Sequence, residues 1–153
     1  MITQPSTPRL LAVIREQLNA IAPTLTDPAA AAGIGMLDRV LLTLEVRAEH
    51  EIAWMVEAVD EITSTAKDVI PELAEPQAAQ AALDALETGR TGSLHLSDVT
   101  AEFNLAGRLL SELLEATAAT TGASRDRVMG LLEHRLANEM AVQGADFALV
   151  GRD

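Results

Sequence analysis

Apolar residues recur at spacings of three and four along nearly the whole chain, the signature of helices with one covered side. Leu11, Ile14, Leu18 and Ile21 predict a helix over Pro8–Ala22. Pro8 suits its first turn and Pro23 stops it. The longest pattern follows: Leu37, Leu41, Leu44, Ala48, Met55, Val59, Ile62, Ala66 and Val69, interrupted only at 51/52. It predicts one helix from Ala30 to Val69, ended before Pro71 and roughly 60 Å long. Gly33 and Gly35 weaken its first turns, so its firm part starts near Met36.

A shorter helix is expected over Pro76–Thr88, with Ala79, Leu83 and Leu86 inward. The stretch "TGRTGS" reads as a loop. Ser97 or Asp98 is placed to cap a helix reaching Thr121, whose stripe is Val99, Phe103, Ala106, Leu110 and Leu113. Thr117, next in line, turns that stripe polar. Gly122 terminates it. Ser124 is the expected cap of a last helix, Arg125–Leu149, with Met129, Leu132, Leu136, Met140 and Phe147 on one side. There is no strand pattern and no internal repeat.

These elements predict an all-α fold: an up-and-down four-helix bundle with one extra short helix and one unusually long second helix. Residues 1–7, rich in Pro and Thr, are expected to fray, leaving 8–150 as a single helical bundle domain. The stripe of the long helix continues past the reach of its neighbours. That excess needs cover, and a second copy is the simplest source, so a homodimer is expected.

Composition changes the picture in three ways. The chain of 153 residues carries 23 acids against 11 basic residues, net −12, with no basic stripe. That argues against nucleic acid and against an anionic membrane surface as partners. Cysteine is absent, which removes disulfides, thiolate nucleophiles and Cys-bound zinc. No run reaches 18 apolar residues and the first residues lack the features of a signal peptide, so a cytoplasmic location is expected.

Candidate chemistry centres on "LTLEVRAEHEIAWM", Leu42–Met55. At 100° per residue, with Leu44 at zero, Glu51 lies near −20°, inside the apolar stripe. Glu45 and Glu49 point away and are expected in solvent; His50 falls beside Trp54, at the rim. A covered carboxylate needs a partner. Arg47, one turn earlier, supplies one at a bundle edge or dimer seam; the sharper alternative aims Glu51 into a ligand or metal pocket. Arg135 and Glu139, at i and i+4, fall within the apolar spread of the last helix, with Asp146 similarly placed. Glu102 lies at the edge of its stripe. Glu51, Glu102, Arg135 and Glu139 are therefore the candidate ligand-binding cluster. His50, His134 and Asn138 are the metal candidates. No Glu-x-x-His pair, P-loop, strand-bound GxGxxG or GxSxG occurs, so no cofactor and no catalytic residue is assigned.

Two resemblances add to this reading. "PRLLAVIREQLNAIAPTL" with "MLDRVLLTLEVRAEHE", about the first third of the chain, resembles the opening helices of small helical bacterial proteins. Those accompany aminoglycoside-phosphotransferase-like kinases and serve as the small subunit of a hydroxyacyl-CoA kinase. The resemblance implies a partner enzyme that is acyl-CoA-linked. The placement of His50 and of "HRLANEMAVQGADFALVG" is similar to DinB-like four-helix bundles, in which three His bind a divalent metal; here Asn138 stands where the third His would be. The expected function is that of a non-catalytic helical protein acting through protein–protein contact. The alternative is a ligand-binding or divalent-metal-dependent bundle enzyme with an interior Glu/Arg/His cluster.

Overall fold

A computed structural model describes residues 5–118 and 121–143. It is all-α, with helices α1 Thr7–Ile21, α2 Pro28–Val69, α3 Gln77–Gly89, α4 Leu96–Thr117 and α5 Ala123–Gln143. Short 3-10 turns occupy Ala22–Thr24 and Ile70–Glu72. There is no strand among the described residues. The long second helix has 42 residues, a span of roughly 63 Å. Pro28 begins it, and the Asp27 carboxylate accepts the Ala29 N–H at 3.0 Å, satisfying an otherwise orphaned donor of the first turn. It passes through Gly33 and Gly35 without a break.

Three expected caps differ. His95, not Ser97 or Asp98, precedes the first residue of α4. Ser124 lies inside α5, where its hydroxyl donates to Glu72. The last carbonyls of α4 find another partner: the Arg125 guanidinium donates to the C=O of Thr117 at 3.3 Å and to that of Ala118. Asp146, Phe147 and the final residues of the expected last helix lie outside the described residues.

The chain divides into two compact units. Of the described residues, 52–118 and 121–139 form one, and it holds the core. Val59, Ile62, Ala66 and Val69 of α2 meet Ala79, Leu83 and Leu86 of α3. Ala106, Leu109, Leu110 and Leu113 of α4 and Val128 and Leu131 of α5 complete it. The short α3 is thus a full member of the core. Gly89 at its end lets α4 come close: a Cβ there would sit 2.6 Å from Leu105 Cδ1. The buried side of α5 is Val128 and Leu131; Met129, Leu136 and Met140, expected on the covered side, are exposed. Thr63 and Thr117 are buried among apolar neighbours because each hydroxyl donates to the carbonyl four residues back, at 2.6 and 2.7 Å.

The other unit contains residues 5–51 and 140–143 of those described. In it α1 and the first half of α2 form a hairpin. Arg15 donates to Asp38 at 3.0 Å and to Glu45 at 2.9 Å, and Asn19 donates to Asp38 at 3.1 Å. Later residues of α1 thus meet earlier residues of α2, so the two helices run antiparallel. Glu45, expected in solvent, is one of these partners. No residue of α1 is buried, and α2 has none before Val59.

Candidate functional site

Glu102, Arg135, Glu139, His134, Glu51 and His50 each have a polar neighbour close in sequence or on an adjacent element; Asn138 lies half-buried on α5. Glu102 is buried, and its carboxylate accepts the Thr91 N–H at 2.7 Å and the Thr91 hydroxyl at 2.8 Å. Those donors, with nearby Arg90, hold its pKa below the ordinary carboxylate value despite burial. Arg90 in turn pairs with Asp60. Ser93 N–H donates to the Thr91 hydroxyl and His95 N–H to that of Ser93, both at 3.1 Å. Gly92, with φ +68°, supplies the left-handed residue the turn requires. Glu102 therefore braces the α3–α4 connection through the backbone and hydroxyl of Thr91.

Arg135 lies 3.6 Å from Glu139, its i+4 neighbour, and stacks over Phe103 at 4.8 Å. His134 Nδ1 sits 2.7 Å from a Glu61 carboxylate oxygen, both side chains about half-exposed. In the first unit, Arg47 Nε donates to Glu51 at 3.0 Å, the local pairing that the spacing allowed. His50 lies 3.8 Å from Glu49. Among the described residues no group of three or more His, Asp or Glu is close enough to hold a metal ion. An open hollow of about 540 Å³ lies beside Ile70, Pro71, Pro76, Gln77, Gln80 and Asp84. None of Glu102, Arg135, Glu139 or His134 lines it.

No family model, curated protein or solved structure matches this chain. The two resemblances therefore rest on the quoted residues alone.

What stands out instead is apolar surface. Leu10, Ile14 and Ile21 of α1 are each nearly half-exposed, and Met36, Leu37, Val40 and Leu44 of α2 are 71%, 53%, 55% and 44% exposed. Of these, Leu37 and Leu44 belong to the stripe that also supplies Val59 and Ile62, 1% and 3% exposed in the core of the second unit. Periodicity revealed the stripe; it could not reveal where its cover ends. No helix among the described residues is long and apolar enough to cross a membrane, so that exposed stripe is not a spanning segment.

Proposed function

We propose that this chain is a non-catalytic helical protein that works through protein–protein contact and associates with itself through the α1–α2 hairpin. One observation carries this reading: the α1–α2 hairpin, with no buried residue, presents nine large apolar side chains to solvent. Isolated helices of this length gain most of their stability from packing, and such a surface is otherwise a liability. The polar groups support the same reading. Glu102, Arg135 and Glu51 are each engaged by neighbours in ways that hold helices and loops. The acyl-CoA-linked partner enzyme implied by the first resemblance is a further contact of the assembled protein.

The test is sedimentation equilibrium over a wide concentration range. A reversible dimer is the expected result. A monomer at every concentration overturns the proposal.

A further inference from the structure

We infer that the α1–α2 hairpin is an arm that opens and closes as one unit while the core stays folded, and that a single residue, Arg15, is its latch. Burial sets the boundary. Among the described residues every buried side chain lies between Val59 and Leu131. The apolar residues of the hairpin are at best half-buried, Leu11, Leu18, Ile34 and Leu41 among them. Residues 140–143 of α5 belong to the same unit, and Met140 and Ala141 are exposed.

Neither helix of the arm brings much stability of its own. With 15 residues, α1 has about the length at which an isolated helix is marginal in water. Ser6 makes no side-chain cap bond, no acid stands in the first turn and no basic residue in the last. The dipole of α1 is therefore uncompensated at both ends. The start of α2 carries Gly33 and Gly35, both poor helix formers.

Against that background the Arg15 bonds decide. Asp38 and Glu45 stand seven residues apart, two turns along one face of α2. The Arg15 guanidinium spans both: Nε and Nη2 donate to Asp38 at 3.0 and 3.4 Å, and Nη1 donates to Glu45 at 2.9 Å. Asn19, one turn further along α1, donates to the same Asp38 oxygen at 3.1 Å. The three charged side chains are only 23–25% exposed, so the network is partly shielded from water. Because one cation serves both carboxylates, its bonds are lost together. Opening is therefore concerted: α1 leaves, and the first half of α2 loses its neighbour in the same step. The step ends at the core, where Val59, Ile62, Ala66 and Val69 hold α2 with 0–3% exposure. The chain thus has two folded states that share one core. Their balance rests on a charge network that ionic strength shifts without unfolding the protein.

Hydrogen exchange of the full chain, followed residue by residue in rising sub-denaturing urea and extrapolated to dilution, tests this. Amides of 11–21 and 37–49 are expected to merge on one opening isotherm, open at least about tenfold more often than amides of 62–69 and 106–113. Asp38→Asn and Glu45→Gln each remove a charge-assisted bond and are expected to raise the opening of both hairpin stretches by about tenfold. The core stretches are expected to stay unchanged. Glu16→Gln is the control: that carboxylate lies 3.9 Å from Arg9, both side chains are more than 60% exposed, and its loss is expected to change neither. Two results overturn the inference. One is a stretch 37–49 that opens only together with the core, which makes α2 a single rod. The other is an Asp38→Asn hairpin that opens no more often than that of Glu16→Gln.

Discussion

The carboxylate of Glu102 takes both donors of Thr91, the N–H at 2.7 Å and the hydroxyl at 2.8 Å, across eleven residues of sequence. A buried acid is tolerated there because two donors of the α3–α4 loop fill its lone pairs. Glu102→Ala leaves that N–H and the hydroxyl without their acceptor. We expect a loss of about 1–3 kcal/mol in urea unfolding, and a smaller loss for Glu102→Gln, whose amide oxygen still accepts. Equal losses for the two variants would refute the bracing role.

The same carboxylate links stability to pH. Glu102 is held below its ordinary pKa by the Thr91 donors, and Asp38 by the guanidinium of Arg15. A depressed folded-state pKa means that the unfolded chain takes up the proton first. The stabilisation is therefore complete above the ordinary carboxylate range, near ~4, and is lost as pH falls through the lower folded values. Urea midpoints measured downward from neutral pH are expected to drop faster for the natural chain than for Glu102→Gln, which cannot titrate.

Helix phase was legible in α2, α3 and α4, and the reason is local: Val59, Ile62, Ala66 and Val69 repeat with the period of the helix whatever they touch. In α5, whose apolar residues spread round the helix, Val128 and Leu131 are buried where Met129, Leu136 and Met140 were expected. What covers a stripe is set by distant residues and leaves no mark on it. Leu44 and Ile62 lie at nearly the same angle on α2, yet one is 44% exposed and the other 3%. The same limit explains the polar residues. Spacing placed Glu51 beside Arg47, an interaction one turn long, and that pair is present. Spacing could not foresee that Glu102 would meet a loop, or that Glu45 would be claimed by Arg15, thirty residues away.

Arg15 is the polar pin of the hairpin, bridging Asp38 and Glu45 while Asn19 holds Asp38 from the next turn. With little apolar packing behind it, the hairpin depends on these charge-assisted bonds more than the core does. Arg15→Ala is expected to loosen α1 locally by about 1–2 kcal/mol. Hydrogen exchange should show α1 amides losing protection while those of α4 keep theirs. Uniform loss across both helices would contradict a local role.

Gly35 sits in an exposed turn of α2, opposite the apolar stripe, with open space where a Cβ would go. Nothing in its surroundings requires the missing side chain, so its flexibility only costs helix stability. Gly35→Ala is expected to raise stability by about 0.5–1 kcal/mol, read from the thermal unfolding of the helical circular dichroism signal. A decrease would mean that the residue meets a partner there.

Glu51 separates structural from ligand roles most directly. Its side chain is 27% exposed and that of its partner Arg47 50%, so the pair lies near the solvated limit, where such bridges contribute little. Glu51→Leu removes one charge and leaves Arg47 in water. Monomer stability is expected to change by no more than about 0.5 kcal/mol. The new leucine also extends the exposed apolar side of Leu37, Val40 and Leu44 by two turns, on the hairpin through which the chain is proposed to associate. Dimer affinity is therefore expected to rise, not fall, in sedimentation equilibrium. A variant that folds normally but dissociates more readily would assign Arg47 and Glu51 to the contact itself, with each carboxylate answering the partner's guanidinium.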